Sequence, residues 1–457
     1  MKGYTKFILC ITLLYVVNTS CKKMIEVATP RNQLVTSTVF KDSADATAAV
    51  VGMYSSMMRL STVVNFANGA ITRYTGLCGD ELYTTSSNPE ILQFYANAIL
   101  KENTENAELW RYAYEIIYQA NACIEGLSAS TDLKSSVKNQ LIGEAEFIRS
   151  LFYFNLVNLY GDIPLVTTID YHSNAVLPRT SAALVYDQVV TDLLDAEEKL
   201  SINYVTAGRL RPNRYAAIAL LARVYLYQMQ WAKAEAEATK IINAGVYSIE
   251  PNLNNVFLKS STESIWQMPP LQSGLGTPEC RQFVPLGSAI PAYPITNSLL
   301  NSFENNDQRK LKWINSRIIG GITYFFPFKY KLRVTGNPDE NYIMLRFAEQ
   351  YLIRSEARAK QNDLINAVID LNIIRNRAGL PATATINQST LLTAIYHERQ
   401  VELFCEWGHR WYDLKRTDAI NTVLAIIKPG WQATDALYPI PYNETQTNPF
   451  LNQNPGY

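Results

Sequence analysis

Histidine is scarce in this sequence. There are three in 457 residues, at His172, His397 and His409. His397 opens HER rather than an HExxH pair, and the stretch to His409 is not a usual ligand spacing on one helix, so no zinc site is spelled out. No GxSxG elbow, Walker phosphate loop or GxGxxG turn after a strand is present, and Gly320-Gly321 reads as a simple turn. Cysteine is sparse too. Cys78, Cys123, Cys280 and Cys405 are too scattered for a metal cage or a small disulfide framework, leaving either buried thiols or one or two disulfides. Neither sign of charge is in excess: 41 Lys and Arg balance 41 Asp and Glu, which removes the basic field that draws nucleic acid. No run is apolar over the roughly 20 residues a membrane-spanning helix needs. These absences argue against an enzyme, a metal site and a bound cofactor, and toward a protein that works through its surface.

What is present begins at the N-terminus. Residues 1–20, MKGYTKFILCITLLYVVNTS, carry Lys2 and Lys6, a short apolar core from Phe7 to Val17 and then small polar residues. That is the layout of a secretory signal. Thr19-Ser20-Cys21 resembles the end of a bacterial lipoprotein signal, with Cys21 as the acylated first residue of the mature chain; Asn18 stands where Leu or Val is usual. Two or more acyl chains anchor a protein firmly, because each buried CH₂ contributes about 0.8 kcal/mol.

Beyond the signal the chain reads as mostly helical. Residues 44–60, 107–127 and 138–160 show apolar residues at 3- and 4-residue steps. Residues 212–243 predict a helical hairpin of tetratricopeptide type, with Ala222 and Ala234 as the small contact positions, and 345–378 repeats the spacing with Ser355 in the small position. The segment 246–340 differs. It is rich in Pro, Gly, Asn, Ser and aromatics, with strands expected at 264–268 and 323–330 and Trp266 expected in the core. The organisation expected is a signal over 1–20, a helical region over 21–245, and a region over 246–457 in which a loop-rich insertion (246–340) precedes a helical repeat and a C-terminal tail.

Two charged groups deserve a chemical reading. Asp80 and Glu81 in LCGDELY are the best-placed carboxylates for a glycosidase, although acids beside glycine in a loop more often serve as turn or cap residues. In HERQVELFCEWGHRWYDLKRT (397–417), a continuous helix would set Glu402, Glu406 and Arg410 at four-residue steps with Asp413 beyond, an exposed ion-pair ladder. Arg399, Arg410 and Arg416 could instead pin neighbouring loops through bidentate bonds.

Taken in order, the motifs resemble the SusD/RagB family of Bacteroidetes surface lipoproteins. They are SCKK, FKDSADATAAVVGMYSSM (40–57), GDEL (79–82), AEFIRSLFYFNLVNLYGDIPLV (145–166), the Pro212–Tyr225 helix, LRFAEQYLIRSEA (345–357), ERQVELFCEWGHRWYDLKR (398–416) and YPIPYNETQTNPFLNQNPGY (438–457). The resemblance implies a mostly α fold: a tetratricopeptide-like scaffold with an irregular, loop-rich segment containing short strands. It further implies a non-catalytic nutrient-binding protein on the outer membrane, lipid-anchored at Cys21 and facing the exterior. Such a protein captures oligosaccharide or oligopeptide as a lid over a SusC-like TonB-dependent transporter. The alternatives are a secreted glycoside hydrolase with unrecognised carboxylates and a protein-binding repeat scaffold.

The family fixes no ligand motif, so candidate contacts follow from chemistry: aromatic faces for sugar C–H groups, amides and charges for hydroxyls. The loops 63–95 offer Asn65, Asn68, Arg73, Tyr74 and Tyr83; the segment 280–330 offers Tyr293, Trp313, Tyr324 and Phe326.

Overall fold

A computed structural model describes residues 39–59, 65–271, 274–334, 336 and 339–457; the signal segment and Cys21 lie outside the described residues. The first long helix, α1 (Ser43–Met58), starts where the Asp42 carboxylate accepts the backbone N–H groups of Ala44 and Asp45. Two shorter helices follow, α2 (Ile71–Cys78) and α3 (Pro89–Ala96). Asn88 caps α3 with proline at its first turn, and Asn97 ends it in the left-handed region. Then come α4 (Thr104–Ala129), capped by Asn103, and α5 (Ser135–Tyr160), stopped at Gly161 with φ +72°.

α5 is buried around its whole circumference from Gln140 to Val157, which makes it the central rod of the molecule. The expected helices at 44–60, 107–127 and 138–160 are therefore present. The series continues through α6 (Ala182–Lys199), α7 (Arg214–Tyr227) and α8 (Trp231–Asn243).

The irregular segment contributes β1 (Ser264–Met268), the hairpin β2 (Ile314–Ile319) and β3 (Ile322–Pro327), and β4 (Tyr342–Arg346). β1 pairs antiparallel with β4, which returns the chain to the helices. Trp266 is fully buried on β1, as expected, and its indole N–H donates to Leu210 O. The second expected strand starts one residue earlier than 323 and ends at Pro327, and Phe328 beyond it still donates its N–H to Trp313 O at 2.7 Å.

The remaining helices are α9 (Phe347–Lys360), α10 (Leu364–Arg377), α11 (Gln388–Glu402), α12 (His409–Arg416) and α13 (Ile420–Ile427). From α4 to α10 each helix packs on the next, and α11 closes on α9. The predicted hairpins are α7/α8 and α9/α10. Ala222 and Ala234 have no exposed surface, and Ser355 Oγ donates to Ala367 O across the second pair at 2.7 Å.

Buried arginines staple this array. Arg149 on α5 grips Asp192 on α6 with two bonds of 2.7 Å. Arg223 on α7 grips Glu349 on α9 at 2.7 and 2.6 Å, and Arg354 on α9 grips Asp370 on α10 at 2.9 and 2.7 Å. Planar guanidinium suits this two-point geometry where lysine would not.

The 397–417 stretch is not a continuous helix, and the exposed ladder expected there is corrected. α11 ends at Glu402; Cys405 and Trp407 take φ of 49° and 46°, and Gly408 takes 75° before α12 begins. Glu402 and Glu406 are buried and both reach Arg346 on β4. Glu402 meets Arg309, Arg346 and Arg377, while Glu406 meets Arg346 and Lys329. Carboxylates out of water need cations from other elements, and that requirement overrides helical spacing. The alternative reading of the arginines holds in part: Arg410 pins the turn at Asp80 at 2.8 and 2.7 Å, whereas Arg399 holds Asp413 and Arg416 holds Glu356 on neighbouring helices.

The C-terminal tail folds back on the first long helix pair. Tyr438 N–H donates to Leu159 O at 2.9 Å, and the Asn454 amide donates to Tyr160 O at 2.9 Å and Tyr438 O at 2.7 Å. Cys78, Cys123, Cys280 and Cys405 are all free and buried, the first of the two arrangements expected. Burial pushes the Cys78 and Cys123 thiols up to about 12.

Candidate functional site

After the buried Asp80-Glu81 pair the chain runs extended beside residues 292–295. Tyr83 N–H donates to Pro294 O at 2.9 Å, and Thr85 N–H donates to Ala292 O at 3.1 Å. Ile295 N–H in turn donates to Phe325 O at 2.7 Å, so the β2/β3 hairpin extends the same layer. The hairpin turns at Gly320 and Gly321, with φ of 58° and 81°, values that a two-residue turn of this hand demands. Leu82 points inward with no exposed surface, while Tyr83, its neighbour along the strand, stands half-buried at the surface.

Tyr324 comes to Tyr83 from β3, and Tyr95 comes from α3. Burial, then the phenols of Tyr324 and Tyr95, push the Tyr83 phenol up. Tyr95 is 37% exposed. The Lys428 ammonium lies 4.0 Å from its ring centroid and donates to Leu77 O and Tyr95 O at 2.8 and 2.7 Å, tying together the ends of α2 and α3. Opposite Tyr324 on β2 is Arg317, which donates to Ala289 O at 2.8 Å. Tyrosine rings beside an arginine make a face suited to sugar. The rings meet C–H surfaces, and the polar groups meet hydroxyls.

Of the expected contact residues, Tyr83 and Tyr324 are brought together at this face. The others lie inside. Asn65 and Asn68 donate to Arg59 O at 2.8 and 3.1 Å and so cover the end of α1. Arg73 lies over the Tyr74 ring and pairs with Glu105, and Tyr74 stacks on Phe94 at 4.1 Å between centroids. Tyr293 meets Arg73 from the 292–295 segment, while Phe326 packs edge-on against Phe328. Trp313 is fully buried; its N–H donates to Leu253 O at 2.9 Å, and Lys329 lies 4.8 Å from its ring centroid. These buried groups set the frame: Tyr74 and Phe94 seat α3, and Tyr293 with Arg73 seats the strand beside Tyr83. Tyr95, Arg317 and Lys428 are the residues the sequence reading missed. Tyr95 carried a signal, since it follows buried Phe94 on an amphipathic helix and so turns toward solvent.

Asp80 and Glu81 do not face this surface. Both are 2% exposed; Asp80 is held by Arg410, and Glu81 accepts the Cys405 N–H at 2.9 Å. Burial pushes Glu81 up to about 7, a value that suits a general acid, yet the group is enclosed by structure. Among the described residues no group of three or more His, Cys, Asp or Glu could hold a metal ion.

The fold is that of a helical-repeat scaffold carrying an irregular, loop-rich layer, and comparison with known proteins gives it a lineage. Residues 29–226 match a family described as starch-binding and associating with the outer membrane, and residues 295–457 match the SusD family. The chain belongs to the SusD/RagB family. The SusD-like protein P2 of Formosa agariphila is 27% identical over the whole of both chains, and P25 of the same organism is 25% identical over 94% of this chain and 95% of its own. A SusD superfamily protein from Bacteroides vulgatus shares the fold with a TM-score of 0.81 at 20% identity, covering 92% of this chain and all of its own. A laminarin-binding SusD-like protein superposes with a TM-score of 0.77 at 26% identity, with the same coverage.

Proposed function

We propose that this protein is a non-catalytic glycan-binding lipoprotein that captures oligosaccharide on the Tyr83–Tyr95–Tyr324 face. It then delivers the ligand to a SusC-like TonB-dependent transporter. The observation that carries the reading is that face itself: three accessible phenol rings gathered from three separate elements, with Arg317 beside them. Family membership supports it, as does the laminarin-binding relative. The burial of Asp80 and Glu81 against Arg410 and Cys405 removes the carboxylate pair on which a hydrolase would rest. Anchoring through Cys21 on the outer membrane, facing the exterior, completes the reading and accords with the outer-membrane description of the matched family.

Calorimetry with laminarihexaose, maltohexaose and xylohexaose, and with hexaalanine as a peptide, tests it. At least one hexasaccharide is expected to bind. Tyr83→Ala or Tyr324→Ala should weaken it by about tenfold or more, the scale of a lost aromatic platform of about 1–3 kcal/mol. A protein that binds no glycan, or binds one equally well without both tyrosines, overturns the reading.

A further inference from the structure

A second concavity lies away from the tyrosine face. It is a groove of about 320 Å³ between α4, the loop that follows α5, and the C-terminal turn Tyr442–Thr447. That volume is at the lower end of ordinary small-ligand sites. Trp110 and Tyr114, one helical turn apart on α4, form one wall, with ring centroids 4.9 Å apart. The opposite wall is polar: Glu444, Thr447 and Asn448 from the tail, and Asn174 from the 164–175 loop.

The bonding state of these polar groups defines the ligand. Arg111 at the rim is engaged by Glu108 and Glu115, so it offers little to an anion. Tyr114 OH donates to Pro164 O at 2.8 Å, and Thr447 Oγ donates back into its own turn. The Asn174 and Asn448 amide nitrogens donate to Thr168 O and Leu177 O, each at 2.8 Å. Donors are thus largely committed, whereas acceptors remain: the Glu444 carboxylate, whose side-chain partner is the Trp110 indole N–H, and the Thr447 hydroxyl oxygen. A groove with an aromatic wall and spare acceptors matches a molecule presenting C–H surface and several O–H donors.

We infer that this groove is a second carbohydrate subsite, taking one or two pyranose units with Glu444 as the principal hydroxyl acceptor and Tyr114 as the ring platform. The inference rests on the glycan reading but concerns a different surface. Its purpose follows from chain length: a second grip on a polymer converts a later binding event into an intramolecular one and raises retention without tightening the first site. Burial pushes the Glu444 carboxyl up, so acceptor strength in the groove falls first as the medium is acidified.

The experiment uses the full chain from Cys21 with the same three hexasaccharides. Calorimetry on Tyr83→Ala/Tyr324→Ala should leave a weaker residual binding for the hexasaccharide the wild type takes. The Trp110 indole N–H signal, assigned through Trp110→Phe, should shift on titration of that variant. Adding Glu444→Gln should reduce the residual affinity by about tenfold, the scale of one charge-assisted bond, with Thr447→Val, at an exposed position, as a milder second variant. Residual binding that ignores both substitutions, or its absence with a static Trp110 signal, overturns the groove and leaves the tyrosine face standing. A wild type that binds none of the hexasaccharides overturns the glycan reading, and the groove with it.

Discussion

Glu279 shows how burial sets a protonation state in this protein. It accepts from Thr72 Oγ at 2.5 Å and Tyr342 OH at 3.0 Å, and burial pushes its carboxyl up to about 8. The folded chain therefore holds a proton that the unfolded chain releases near the ordinary glutamate value. Stability contributed this way is present at low pH and is lost as pH rises toward 8. Buried His409, held neutral by desolvation and by Arg223 and Arg399, acts in the opposite sense below its usual value. The contribution of Glu279 is isolated by comparison with Glu279→Gln. Between pH 5 and pH 8 the wild type should lose more stability than the variant, by up to about 1.4 kcal/mol per pH unit in the window where only the unfolded state is ionised. Thermal melts across that range check it; parallel curves would refute it.

At the scale of elements, the helix array is held by buried two-point ion pairs as well as by apolar packing. Arg223 and Glu349, 3% and 1% exposed in their side chains, join α7 to α9. Arg223→Met should cost about 3–5 kcal/mol because it strands a buried carboxylate, and Arg223→Met/Glu349→Leu should recover most of that loss. Urea midpoints of the two variants decide the matter. The sequence announced these helices because one apolar stripe per turn is a local signal, and α7/α8 and α9/α10 repeat it with small residues in register. It could not announce their staples. Arg149, Arg223 and Arg354 look like surface residues until the partner helix supplies the acid. The proposed binding face was only partly legible for the same reason. Tyr, Trp and Phe suit a sugar platform and a core equally well, and only three-dimensional pairing sends Tyr83 outward and Trp313 inward. The 397–417 stretch misled because its charges repeat at helical spacing while the backbone turns at Cys405, Trp407 and Gly408.

At the scale of the whole molecule, the proposed work is done in partnership. A tagged chain extracted from outer membranes in mild detergent should bring down a large β-barrel, identified by mass spectrometry. Recovery of the chain alone from crosslinked membranes would sink the lid reading. The tail carries a different consequence. Asn454 and Tyr438 bond the last turn of α5, and Arg179 donates to Asn452 O at 3.0 Å, so contacts that close the first long helix pair come from nearly 300 positions downstream. A growing chain cannot satisfy those carbonyls until synthesis is essentially complete. On the proposed export route, the C-terminal segment is then the last part of the fold to dock.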